Sequence, residues 1–454
     1  MSGMWTVMSW IYSWLLVLLP IFAIVFNRVY IEGSRDGVKN KSNNLMPLKK
    51  MKNSKKALFC LLACALAVTG CKTQKEPAVA DNVMLVRSTQ TLDSLYAHYS
   101  APGTCLLREN YPSDVEGYTA TYLASEEQKN RPNLYSYLWP YSGTFSAVNA
   151  LMEATKDNKK DFGNYQKLLD EKVLPGLAEY FDTCRMPEAY ASYIKDAPLS
   201  DNVWLGIDFA DVYQMTRQEN YLQSAKLIWK FIESGMDDCL GGGIYWCEQK
   251  KESKNTCSNA PGSVFALKLF KATRDSSYFE KGKSLYEWTK ATLQDTTDCL
   301  YFDNMRLDGE IGRAKFAYNS GQMMQSAALL YQLTGNEQYL KDAQAIAAAC
   351  HNYFFMEFTP EQGAPFHMLK KGDVWFTAVM LRGFMELYQT DGNKAYLDSF
   401  TRSLDYAWIH AREDNGLFNT DFTGKSHDNR KWLLTQAAMV EMYARLAVSA
   451  NQPL

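Results

Sequence analysis

Beyond about residue 82 the chain alternates between two kinds of apolar pattern. In one, as over Val203–Met215, apolar residues run almost all round and are broken by Asp208 and Asp211. A helix of that kind is covered on both sides. In the other, as over Tyr221–Ile232, Lys226 and Lys230 share one face and apolar residues take the opposite one, as in a helix with one side in water. Very few stretches alternate with period two, so strands are a minor component.

The first kind begins near Tyr141, Ser200, Ala260, Ala317, Asp373 and Arg430. The step is roughly 56 to 60 residues, a range in which internal repeats build arrays or closed rings. The second kind opens on an aromatic residue at Tyr221, Tyr278, Tyr339 and Tyr396, after polar turns such as Thr334-Gly335-Asn336 that supply stop and cap residues. Segments 163–182 and 83–99 complete that second set. Six inner and six outer helices predict an all-α fold, an (α/α)6 toroid filling 83–454 as a single domain. An open superhelix of helical pairs is the alternative, and it would keep the chain ends apart.

The N-terminal region reads as address rather than fold. Met51, Lys52, Lys55 and Lys56 precede the apolar Ala57–Val68, and Val68-Thr69-Gly70-Cys71 resembles a bacterial lipobox. On that reading 51–71 is a signal peptide, Cys71 carries lipid, and 72–82 is a polar tether. Such an anchor holds a protein on a membrane without spanning it, which places this one outside the cytoplasm, on a periplasmic face or the cell surface. Upstream, Trp5–Phe26 is a second apolar run, long enough to cross a bilayer. The preferred explanation is that Met51 is the start and 1–50 is an over-extended frame; a signal anchor is the alternative.

Composition narrows the options. Hydrophobic residues make up 47% and aromatic residues 13%, with 28 Tyr and 11 Trp, enough for a large core. A net charge of -2 gives no electrostatic case for nucleic acid. Seven of the ten cysteines lie beyond the signal. Export permits disulfides, and Cys247 and Cys257 bracket a loop, but spacing does not fix pairing. There is no Cys-x-x-Cys and no cluster among the five histidines, so no structural zinc site is expected. No cofactor is indicated, and a monomer is expected.

The residues that carry chemistry form a series. Ser200-Asp201-Asn202-Val203-Trp204 is followed by Gly241-Gly242-Gly243-Ile244-Tyr245-Trp246, Lys254-Asn255-Thr256, Asn259-Ala260-Pro261 and Tyr301-Phe302-Asp303. Tyr318-Asn319-Ser320-Gly321 and the stretch Phe376–Arg382 complete it. In this order, from about residue 135 to 390, the series resembles glycoside hydrolase family 76, whose best-known members are endo-α-1,6-mannanases. The family signature is Asp-Asp-Asn-x-Trp, and here Ser200 holds the first aspartate position. Thr377 likewise stands where the family usually has Lys. The family assigns its adjacent aspartates as nucleophile and acid/base, so the resemblance aligns Asp201 with the acid/base and Ser200 with the missing nucleophile.

In a toroid the loops entering the inner helices gather at one mouth. Trp139, Asn202, Trp204, Trp246, Asn259, Tyr318 and Asn319 all belong to such loops or helix starts. Aromatic planes there can stack on the C–H faces of pyranose rings, and amides can take hydroxyls. Core packing is the alternative for each aromatic taken singly. Glycoside hydrolysis needs two carboxyl groups, and Asp208, Asp303, Asp373 and Glu188 are the candidates for a second. Without a neighbouring like charge, and near a helix N-terminus, Asp201 ionises readily and suits a base better than an acid. The expectation is a hydrolase of α-mannan-type polysaccharide. The alternatives are a carbohydrate-binding relative without turnover, or a cleft retuned to another glycan.

Overall fold

The computed structural model describes residues 82–113, 120, 134–182, 193–194, 202–247 and 251–450. All of them fall in one of two units, Ala80–Leu454. The lipobox with Cys71, the run Trp5–Phe26, Glu188, Ser200 and Asp201 lie outside the described residues.

Thirteen α-helices are described. They are α1 (Val83–Tyr99), α2 (Leu138–Thr155), α3 (Lys159–Leu168), α4 (Leu174–Ala178), α5 (Asn202–Thr216), α6 (Glu219–Ser234) and α7 (Thr256–Thr273). Then follow α8 (Ser276–Leu293), α9 (Ala317–Thr334), α10 (Glu337–Phe354), α11 (Val374–Asp391), α12 (Ala395–His410) and α13 (Leu433–Ala450). The strands are short; a three-stranded antiparallel sheet of Ser253–Asn255, Phe302–Arg306 and Ile311–Lys315 is the largest.

Helices α2, α5, α7, α9, α11 and α13 pack successively, and α13 packs on α2, so the inner set closes into a ring. The outer partners are α3, α6, α8, α10 and α12, with α1 seated on α13. The first described residue is tied to the last helix, since Asn82 Nδ2 donates to the Ala447 carbonyl at 2.9 Å. This is the predicted (α/α)6 toroid, and the closure excludes the open superhelix.

Burial follows the two sequence patterns. Nearly every residue of α9 from Ala317 to Leu330 is buried. In α6 the buried residues are Tyr221, Leu222, Ala225, Ile228, Trp229, Phe231 and Ile232, one stripe at helical spacing. The polar turns act as expected: Gly335 ends α9 in the left-handed conformation at φ 68°, and Asn336 caps α10 by accepting from Gln338 N.

A loop device recurs where the chain enters the inner helices. Met236 bridges Ile244, Gln294 bridges Tyr301, and Arg412 bridges Phe418. The fourth residue of the inner helix that follows then holds the bridged strand. Asn259 pairs with both the N–H (2.6 Å) and the carbonyl (2.9 Å) of Ile244. Gln436 does the same for Phe418 at 2.8 and 3.0 Å, and Ser320 accepts from Tyr301 N at 3.1 Å. Two residues before each of these helices stands a lysine. Lys254 Nζ donates to Asp237 Oδ1 (2.6 Å) and to the carbonyls of Cys239 (2.8 Å) and Gly242 (2.7 Å). Lys315 reaches Asp295 and Asp298, and Lys431 reaches Glu413, Asn419 and the Asp428 carbonyl. These ammonium groups satisfy loop oxygens that would otherwise be left without partners.

Helices α9 and α11 approach backbone to backbone. A Cβ on Gly321 would overlap the Met380 Cα, and one on Gly383 would overlap the Gly321 carbonyl oxygen. No disulfide joins Cys105, Cys239, Cys247, Cys257, Cys299 or Cys350, so Cys247 and Cys257 are not bonded to one another.

Candidate active site

The N-terminal ends of the inner helices meet at one end of the ring, and they bring aromatic side chains together. Trp375, the second residue of α11, is at the centre. Its ring lies 5.0 Å from Trp204 of α5 and 5.5 Å from Trp139 of α2, both edge to face. Trp139 continues the lattice to Trp432 at 5.3 Å, just before α13. On the other side Tyr318 of α9 packs on Phe376 at 4.1 Å and on Phe316 at 5.9 Å. Edge-to-face contacts of this kind fix ring orientation as well as burying area.

The lattice rests on a buried ion network. Arg382 lies 5.9 Å from the Trp204 ring centre and grips Glu441 with two hydrogen bonds, 2.7 and 2.9 Å. Burial pushes the Glu441 carboxyl up, but Arg382 and Arg445 outweigh it and hold it at about 2. Beside them Asp208 is wholly buried and accepts from Ser146 Oγ (2.5 Å) and Asn149 Nδ2 (2.8 Å). Burial lifts its pKa to about 6 against the pull of Arg382 and the two hydrogen bonds.

Two half-buried carboxyl groups, Asp303 and Asp373, lie near Tyr318, whose hydroxyl is held well above its ordinary range by burial and then by Cys257, Asp303 and Asp373. Asp303 accepts from Asn304 Nδ2 at 2.8 Å and is 3.5 Å from Asn319 Nδ2; burial raises its pKa despite these contacts. Asp373 caps α11, its Oδ1 accepting from the N–H of Trp375 (2.9 Å) and of Phe376 (3.2 Å). Burial lifts it to about 6 although both N–H groups favour the anion.

The sequence-predicted residues therefore divide. Trp139 and Tyr318 are partly exposed members of the lattice, and Trp204 is its nearly sealed floor. Three residues expected to offer amides to substrate are wholly buried in the structure. Asn259 is wholly buried, and its amide is committed to Ile244 and to the Asn255 carbonyl. It holds a turn and has nothing left for a sugar. Asn319 is also wholly buried and braces Asp303 from behind. Asn202 is wholly buried at the first turn of α5. Trp246 is partly buried beside Ser253, whose carbonyl accepts its backbone N–H at 3.1 Å, and its ring does not join the lattice. Asp208, a candidate second carboxylate, is sealed beneath the floor.

Trp375, Trp432 and Phe316 were not anticipated. The signal for them was available: an aromatic residue recurs in or just before the first turn of five of the six inner helices, as Trp139, Trp204, Tyr318, Trp375 and Trp432, with Cys257 at that place in α7. Among the described residues no three His, Cys, Asp or Glu side chains converge as a metal site.

Comparison with known proteins accords with this geometry. The sequence model of glycosyl hydrolase family 76 matches residues 112–365. The structure of the family 76 mannosidase Bt3792 from Bacteroides thetaiotaomicron is 32% identical, covering 82% of this chain and 100% of that one, with a TM-score of 0.71. An inactive variant of the α-1,6-mannanase of Salegentibacter sp., in complex with α-1,6-mannotetrose, shares the fold at 24% identity and a TM-score of 0.62, covering 80% of this chain and 98% of that one. The mannan endo-1,6-α-mannosidase DFG5 of Candida albicans is 24% identical over 149 residues, which are 30% of this chain and 33% of that protein. The match thus spans a third of the length of that curated relative. With more than half of its residues matched by the family model and a family 76 mannosidase aligned over its whole length, the chain belongs to glycosyl hydrolase family 76.

Proposed function

We propose that the protein hydrolyses the backbone of α-1,6-linked mannan or a closely related polysaccharide, acting within the chain as an endo-mannosidase. The observation that carries this is the mouth itself, where half-buried carboxyl groups stand beside partly exposed rings. Trp139 and Tyr318 offer stacking faces, and Asp303 and Asp373 offer oxygens for hydroxyls and protons. Supporting it, the Salegentibacter relative is an α-1,6-mannanase bound to an α-1,6-mannooligosaccharide.

Asp201 is the proposed base, immediately ahead of α5 and its Trp204. Ser200 provides neither a charge for an oxocarbenium-like state nor a good glycosyl carrier, so attack by water replaces the family's covalent step. Cys71 is the proposed lipid anchor, holding a monomeric, exported enzyme at a bacterial membrane where it meets oligo- or polysaccharide.

Incubation with α-1,6-mannan and defined mannooligosaccharides tests the activity. Asp201→Asn is expected to lose about 100-fold or more of kcat/KM; unchanged turnover would defeat the assignment. Binding without turnover is the second reading, favoured by Ser200 at the nucleophile position. Calorimetry showing oligosaccharide binding with no product formed would select it.

A further inference from the structure

A cavity of about 460 Å3 lies at the end of the ring away from the aromatic mouth. Its lining comes mostly from the C-terminal halves of α2, α5, α7, α11 and α13, whereas the mouth is built from the opposite ends of the same helices. No residue of the aromatic lattice lines it. Its volume falls within the roughly 300–1,000 Å3 of small-molecule sites. Five cations, Lys156, Lys268, Lys271, Arg382 and Arg445, line it. They stand against three carboxylates, Glu153, Asp211 and Glu386.

Hydrogen bonding is more one-sided than charge, since Glu441 and Asp208 stand just beneath the lining. On the acceptor side Glu386 has both oxygens filled, Oε2 by Gln325 Nε2 (3.2 Å) and Oε1 by Gln332 Nε2 (2.9 Å). On the donor side much is left open. Lys268 is 9% exposed, and among the described residues its Nζ donates to Asp211 Oδ1 alone, at 2.5 Å. Burial by itself would lower the Lys268 pKa, but Asp211 and Glu386 outweigh it and keep the ammonium charged. Arg382 is buried, and its Nη1 has no hydrogen-bond partner. At the rim Lys156 is exposed, and Lys271 reaches the Gln332 amide oxygen at 3.4 Å rather than a carboxylate. Cations near helix C-termini also offset the helix dipole. That role explains their charge but not the open hydrogens of a buried ammonium, because buried donors are almost always paired.

We propose that this cavity is a second binding site, for a small anionic saccharide such as a sugar phosphate or sugar acid. The anionic head accepts charge-assisted hydrogen bonds from Lys268 and the rim lysines. A bare phosphate would fill only a fraction of the space, which at about 30 Å3 per water equals roughly fifteen waters. The sugar body takes the rest. Gln214 and Gln389 line the cavity with side-chain amides that can both donate to and accept from hydroxyls. Phe162, Met215 and Met385 supply an apolar side for the ring C–H groups. The site is independent of the hydrolase reading, since it shares no residue with the stacking faces or with Asp303 and Asp373.

Calorimetric titration of the full-length protein with mannose 6-phosphate, glucuronate, mannose and inorganic phosphate tests it. Mannose 6-phosphate or glucuronate should bind with a Kd of about 1 mM or tighter, and the tighter of the two identifies the head as phosphate or carboxylate. Mannose and inorganic phosphate should each bind about tenfold more weakly or worse, because each lacks one half of the ligand. Lys268→Gln, which can still donate to Asp211, should weaken the anionic sugar by about 10-fold to 100-fold, the size of a charge-assisted hydrogen bond. Lys268→Arg should retain most of the affinity. The double variant Lys156→Gln/Lys271→Gln changes only the rim, so it keeps the test decisive should Lys268→Gln fail to fold. It should weaken binding about threefold or more and flatten the salt dependence. Four results would each overturn the proposal: no binding of either anionic sugar, equal binding of mannose or of inorganic phosphate, affinities unchanged in the variants, or displacement of the anionic sugar by α-1,6-mannotetraose, which would place it at the mouth.

Discussion

Trp204 and Trp375 meet edge to face across the axis of the ring, their centroids 5.0 Å apart and their planes at 86°. They come from helices on opposite sides of the toroid, so this single contact closes the floor of the mouth and fixes how far apart the two helix starts can sit. Replacing Trp375 with Leu should cost about 2–4 kcal/mol of stability. It should also raise KM for mannooligosaccharides more than it lowers kcat. Steady-state kinetics beside urea unfolding would show whether the two effects separate.

The turn-holding amides make a graded prediction. Asn259→Ala and Gln436→Ala each orphan a strand N–H and a carbonyl, and each should destabilise by about 2–4 kcal/mol. Ser320→Ala removes one acceptor and should cost about 1–2 kcal/mol. Chemical denaturation of the three variants checks the order. A kinetic defect in Asn259→Ala without loss of stability would return that residue to the substrate.

Helix approach gives another. Gly321→Ala would press a methyl onto the Met380 backbone and should cost about 1–3 kcal/mol. Because Tyr318 and Asn319 lie one turn away, the variant should also lose activity beyond what its stability explains at a temperature where it remains folded.

The pH dependence of stability should carry a signature of Asp208. Its folded pKa is about 6, above the roughly 3.9 of an unfolded Asp, so the folded state binds the proton more tightly. The stabilisation is complete below the unfolded value and is lost as pH rises through 4 to 6. It amounts to on the order of 2–3 kcal/mol. In Asp208→Asn that stretch of the curve should flatten, whatever the mean stability, since Asn149 then faces an amide. Melting temperature against pH for the two proteins is the measurement.

At the signature itself, Ser200→Asp should place a like charge beside Asp201 and raise the pKa of one of the pair by about one unit or more. The acidic limb of kcat/KM should move to higher pH by a similar amount. An unmoved limb would mean that Asp201 is not the group being titrated.

The toroid was legible because its two helix types differ in how much of their circumference is apolar, and because the step of the repeat is regular. Individual roles were harder to read. Asn259 sits in a family phrase beside Gly-rich residues and looks like a ligand until its fourth-residue position is set beside those of Ser320 and Gln436. Only the folded loops show that all three do the same work. Trp375 lies just outside the family phrase, which begins at Phe376, although an aromatic stands at or beside five of the six inner-helix starts. Asp208, Asp303 and Asp373 are equal candidates in the sequence, and only the fold shows that Asp208 is sealed while the other two are half-buried near Tyr318.

The seating of α1 on α13 has a consequence for how the domain is made. Ser88 donates to the Val440 carbonyl and Tyr99 to the Lys431 carbonyl, so the sixth hairpin is assembled from the two ends of the chain. During synthesis α1 must wait, its apolar stripe uncovered, until α13 has emerged. Five hairpins can stack as they appear, but the ring cannot lock before α13 is made. A deletion at either end should therefore unseat the other, and chaperone occupancy on the nascent chain should persist until α13 is released.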